Sequence, residues 1–135
     1  MARTSPARRE ALGRYAYALP AALWAGVLLA TALARDLGPL EDVQVVAHQD
    51  LAGHLVEYVV LGALVALALL RTTGYTPLEA FLVTVFVSAA YGLLLEGLQA
   101  FVPGRTASTA DAVMNTLGAL IGGAISIYVI SRHKG

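Results

Sequence analysis

Polar residues interrupt this chain so rarely that its pattern is one of long apolar runs, not of alternation or an amphipathic period. Tyr15 to Ala34 carries no charged side chain, and Leu51 to Leu70 is apolar except for His54 and Glu57. Ala80 to Val102 holds one charge, Glu96, and Ala112 to Ile130 holds none. A hydrocarbon layer about 30 Å thick is crossed by about 20 helical residues, the helix rising about 1.5 Å per residue. Each stretch has that length. Backbone groups inside lipid must be satisfied within their own segment, so the stretches are helices and not strands. A soluble four-helix bundle would give every helix a solvated polar face, and none of these segments has one. The pattern therefore predicts an all-α polytopic membrane protein with four transmembrane helices in a compact bundle.

Local signals mark the boundaries. Thr76-Pro77-Leu78-Glu79 places a cap, a first-turn proline and an acid at the third helical position ahead of the third span. Ser108-Thr109-Ala110-Asp111 repeats the capping-box spacing before the fourth, and Pro103-Gly104 ends the third. Pro20, early in the first span, is a bending point. The short second and third loops predict that spans two, three and four are antiparallel neighbours. The organisation expected is a short basic tail over 1–14, one four-helix domain over 15–130 and a short tail over 131–135. The arginines of the first tail resemble the basic region of a signal peptide. The apolar run behind them exceeds the roughly 7–15 residues usual there, so it is read as a retained span.

Composition and charge narrow the picture. Hydrophobic residues make up 58% and charged residues 13% of the 135-residue chain, against about 25% charged in soluble domains. Nine basic residues balance nine acidic ones, so no nucleic-acid partner is expected. Cysteine is absent, which removes disulfides, thiolate metal sites and cysteine nucleophiles. The basic residues are unevenly placed. Arg3, Arg8, Arg9, Arg14, Arg71, Arg132 and Lys134 fall on one side of a four-span layout, and only Arg35 and Arg105 on the other. The positive-inside rule then puts both termini in the cytoplasm of a multi-pass cell-membrane protein. The first loop, with Asp36, Glu41, Asp42 and Asp50, faces outward.

The few polar side chains collect in the outward half. Asp50, His54 and Glu57 lie near one face of the second helix, with Tyr58 and Leu61 beside them. Glu96 and Gln99 are three residues apart on the third helix, and Asp111, Asn115, Gly118 and Gly122 form one stripe on the fourth. Glu57 lies seven residues past Asp50, roughly 10 Å deep at the helical rise. Glu96, six residues before Val102 on the returning helix, sits at a similar depth. The inward half is almost purely apolar. A lone ionised carboxylate in hydrocarbon costs at least about 3 kcal/mol, so the two acids require protonation, pairing with His54 or Arg105, or a wet cavity. Bundle-stabilising hydrogen bonds are the plainer account, above all for Gln99 and Asn115. The Gly118–Gly122 spacing is read as packing inside the monomer, with a homo-oligomer as the alternative. Tyr15, Tyr17, Tyr75 and Tyr128 suit cytoplasmic interface anchors, and Trp24 is too deep for that role.

Two motifs resemble the signatures of VanZ-like membrane proteins. The first is Asp50-x-x-x-His54-x-x-x-Tyr58 followed by Leu61-Gly62. The second runs from Tyr91-Gly92 through Glu96, Gln99, Pro103-Gly104-Arg105, Ser108 and Asp111 to Asn115-Thr116 and Gly118. The resemblance covers roughly Asp50 to Gly122, and the four-span layout extends it to the whole chain. Where the family often has a basic residue after the first aspartate, this chain has Leu51, which leaves Arg105 as the obvious cation of the cluster. Glu57 occurs in only part of the family. The family is named for a protein associated with resistance to teicoplanin, a glycopeptide acting on cell-wall precursors outside the membrane. The resemblance implies the fold, a membrane location and a link to the envelope. It carries neither a reaction nor a resistance phenotype.

Three functions compete. In the first, an outward-facing polar pocket binds the head group of a lipid or lipid-linked envelope precursor. Asp50, His54, Glu57, Tyr58 and Glu96 would shape it together with Gln99, Arg105, Ser108, Asp111 and Asn115. Arg105 offers a fork of donors to phosphate or carboxylate, and the helix start at Ser108 offers backbone N–H groups. In the second, the pocket is an enzyme site acting on a lipid-linked phosphate, with candidates His54, Glu96, Arg105 and Asp111. No nucleophile motif, phosphate loop or zinc signature accompanies it. In the third, the protein is structural or proton-coupled, although the apolar inner half interrupts a proton path. Asp50 and Asp111 offer only oxygen ligands to a divalent metal, so neither a metal nor a cofactor is assigned.

Overall fold

Four helices are what these apolar runs build. α1 spans Pro6–Leu33, α2 Val43–Thr72, α3 Pro77–Gln99 and α4 Thr109–Arg132. The computed structural model describes residues 6–33, 43–102 and 107–133, and the side chains of 13–33, 51–102 and 107–133. Each helix contains a segment long and apolar enough to cross a membrane: Gly13–Leu33, Leu51–Thr72, Pro77–Gln99 and Thr109–Arg132. The protein is a multi-pass membrane protein, its four spanning helices in one compact bundle. Large apolar side chains point outward, Phe86 at 75% exposure and Leu93 at 61%, as a lipid-facing surface requires and a water-facing one does not tolerate.

The helix ends follow local chemistry. Thr76 is in extended conformation and its hydroxyl accepts the Glu79 N–H at 3.3 Å, while its own N–H donates to Glu79 Oε2 at 2.8 Å. Both halves of the expected capping box are therefore present. Ser108 also caps α4, its Oγ accepting the Asp111 N–H at 3.2 Å, but the returning half differs. The Ser108 N–H donates to Glu96 Oε2 at 3.0 Å, not to Asp111. Two boundaries depart from the apolar pattern. α2 starts at Val43, so Asp50 belongs to a helix and not to the first loop. Pro20 lies inside α1, which continues through it. Pro103-Gly104 lies outside the described residues.

Packing among the described residues is not simply sequential. α2 meets α3 and α3 meets α4, as the short loops predict, but the most extensive interface joins α2 to α4. These two run in the same direction. Their closeness comes from the glycine stripe. A Cβ on Gly118 would lie 2.5 Å from the Leu55 carbonyl oxygen, and one on Gly122 would strike the Val59 carbonyl oxygen. Gly62 of α2 meets the Ala119 backbone in the same way. The Gly118–Gly122 motif thus works within the monomer. α1 packs on α2 and α3 around Leu28, Ala32, Tyr58, Leu61 and Leu95. Two aromatic donors tie it there: Trp24 Nε1–H donates to the Glu57 carbonyl oxygen at 2.9 Å, and Tyr91 O–H to that of Ala25 at 2.6 Å.

Candidate functional site

The polar face of α2, the end of α3 and the start of α4 meet at the bundle end opposite the start of α1 and the end of α4. Between them lies a cavity of about 230 Å³, lined by His54, Glu57, Tyr58, Glu96, Gln99 and Asn115. α1 closes another side with Leu28, Thr31 and Ala32. That contribution has no signal in the sequence beyond the apolar run, because a helix without charged residues does not announce which face is inward.

Each polar residue arrives for a local reason. His54, Glu57 and Tyr58 occupy successive positions on one face of α2, so one helix supplies a base, an acid and a phenol. Glu96 reaches from the last turn of α3 to the N–H of Ser108, the cap of α4, where the helix dipole favours a carboxylate. Because Glu96 takes the Ser108 N–H, the Asp111 carboxylate is released from capping and faces α2. Its Oδ2 lies 3.7 Å from His54 Nε2. Asn115, one turn further along α4, is 1% exposed and packs where Gly92 leaves room beside Tyr58.

Glu96 is 4% exposed, and its Oε1 has no hydrogen-bond partner among the described residues. The same holds for Tyr58 Oη, Asn115 Oδ1 and His54 Nδ1. Four buried polar atoms without protein partners around one cavity are unusual, since most such atoms are paired with protein or water. His54, Glu96 and Asp111 moreover each place a ligand atom within 4.8 Å of the others.

Of the ten residues singled out in the sequence, six line the cavity, and Ser108 and Asp111 are tied to it through Glu96 and His54. Arg105 and the side chain of Asp50 lie outside the described residues. The other half of the bundle is less uniformly apolar than the sequence suggests. Thr84 and Ser88 on α3 are fully buried, and Thr84 packs near Gly123. Such short hydroxyls read as small packing residues in a hydropathy pattern.

A four-helix membrane bundle with a polar cavity at one end defines the class of protein. The VanZ/LLP1 family profile matches residues 13–131, and the chain belongs to that family. No curated protein and no solved structure matches the chain.

Proposed function

We infer that the cavity receives the head group of a membrane lipid or lipid-linked envelope precursor from the outer face. The observation that carries this reading is the set of buried, unpartnered polar atoms on Tyr58, Glu96, Asn115 and His54 around one space. In a chain with so little polar surface, these groups gain most from a hydrogen-bonding guest delivered within the membrane. The outward orientation rests on the distribution of basic residues. Arg105, in the segment joining α3 to α4, is the donor fork suited to the anionic part of that guest.

Lipid mass spectrometry of the purified protein tests the reading. Wild type is expected to retain an anionic or polyprenyl lipid that Arg105→Ala loses. Equal lipid content in both proteins would remove it. The second reading, a membrane-embedded enzyme acting on a lipid-linked phosphate, draws on the His54–Asp111 pair, since an imidazole oriented by a carboxylate suits proton transfer. Product formation in reconstituted vesicles, absent in His54→Gln, separates turnover from binding.

A further inference from the structure

We propose that His54, Glu96 and Asp111 form a binding site for a single divalent transition-metal cation of the Zn²⁺ or Mn²⁺ class. The inference goes beyond the head-group reading and does not depend on it. Three separate helices, α2, α3 and α4, each deliver one ligand, and the ligand atoms all lie within 4.8 Å of one another. Ligands about 2.1 Å from a shared tetrahedral ion stand roughly 3.4 Å apart. The His54–Asp111 separation of 3.7 Å is already close to that, and the Glu96 ligand atom lies within 4.8 Å of both.

The charge arrangement points the same way. Two carboxylates, one buried and one half-buried, share a small space, and the pair carries two negative charges when ionised. A divalent cation cancels both charges, whereas a protonated histidine cancels one. Glu96 provides the independent sign of a ligand. It is 4% exposed, and one oxygen holds the Ser108 N–H while the other has no partner among the described residues. A carboxylate with one oxygen fixed by a backbone donor and the other free is an oriented ligand of the kind metal sites use. Asn115, 1% exposed, adds an unpartnered carbonyl oxygen on the same cavity.

The donor set selects the ion. Calcium and magnesium favour all-oxygen shells, and an imidazole with two carboxylates suits manganese, iron or zinc. Three protein ligands leave at least one coordination position for water or for an oxygen of an incoming anion. The bound ion would thereby offer an open Lewis-acid position beside a cavity whose described lining has no lysine or arginine.

Full-length protein, purified in detergent, stripped with a chelator and freed of lipid, is titrated calorimetrically with Zn²⁺. Mn²⁺ binding is followed by electron paramagnetic resonance. One equivalent is expected to bind, with a rise in thermal unfolding temperature. His54→Gln and Asp111→Asn, both near-isosteric, are each expected to weaken binding at least tenfold and abolish the thermal shift, while remaining monodisperse and helical. Nitrogen hyperfine coupling to bound Mn²⁺ is expected in wild type. Absence of stoichiometric binding by wild type, or a loss below tenfold in either folded variant, overturns the proposal. Because the titration contains no lipid, its failure leaves the head-group reading intact, and equal lipid retention by Arg105→Ala leaves the metal site intact.

Discussion

Glu96 holds two segments together with one side chain. Its Oε2 accepts the N–H of Ser108, the cap of α4, and its side chain lines the cavity. The two roles separate by substitution. Glu96→Gln keeps a carbonyl acceptor for Ser108 and removes the charge. It should insert and fold normally, unfolding within a few degrees of wild type, yet lose lipid or cation binding. Glu96→Ala removes the acceptor as well. Loss of a helix-terminal acceptor costs about 1–2 kcal/mol, so this variant should be measurably less stable in detergent unfolding. A fully functional Glu96→Gln variant at normal abundance would leave hydrogen-bonded packing as the whole role of the residue. Glu96 stands out in the sequence as the lone charge between Ala80 and Val102. That its partner is a backbone N–H is not legible there, because helical spacing gives the face of a residue but not the path of the loop that returns to it. The same limit hid the release of Asp111 from its expected capping role toward His54.

At the level of helices, stability rests on backbone contact more than on polar bonds. Gly122 allows α4 to touch the Val59 carbonyl of α2, and even a methyl group there must force the helices apart. Overpacking of this kind costs about 1–3 kcal/mol. Gly122→Ala should therefore lower the unfolding temperature, and Gly122→Leu should abolish folded protein. Gly97→Ala is the control, since a Cβ at Gly97 meets nothing within 4 Å. Comparable stability of Gly122→Ala and Gly97→Ala, read by thermal aggregation in detergent, would refute the α2–α4 contact. α1 is held differently. Tyr91→Phe deletes its hydrogen bond to Ala25 and should cost about 0.6 kcal/mol, the average for side-chain bonds between membrane helices. A loss of several kcal/mol in the same unfolding assay would mean that this bond anchors α1 on its own. The glycine stripe is visible in the sequence, but its partner is not. Short loops favour sequential neighbours, whereas the closest pairing joins two parallel helices linked only through a third.

Over the whole molecule, chemistry is segregated by end. The cavity, with its acids and imidazole, lies opposite the start of α1 and the end of α4. The other end carries basic residues stacked on aromatics, Arg71 5.7 Å from the Tyr17 ring centre and Arg132 4.8 Å from that of Tyr128. Basic residues and amphipathic rings at one interface are what the positive-inside rule and the aromatic belt associate with the cytoplasmic side. The cavity should then open outward. A chain without cysteine allows this to be read from single substitutions. Gly38→Cys and Thr106→Cys, in the first and third connections, should react with a membrane-impermeant thiol reagent added outside intact cells. Thr73→Cys, at the α2–α3 turn, should react only after the membrane is opened. Labelling of Thr73→Cys from outside, with Thr106→Cys protected, would invert the molecule. The cavity would then face the cytoplasm, and the guest would have to be a lipid of the inner leaflet and not a precursor displayed at the cell surface.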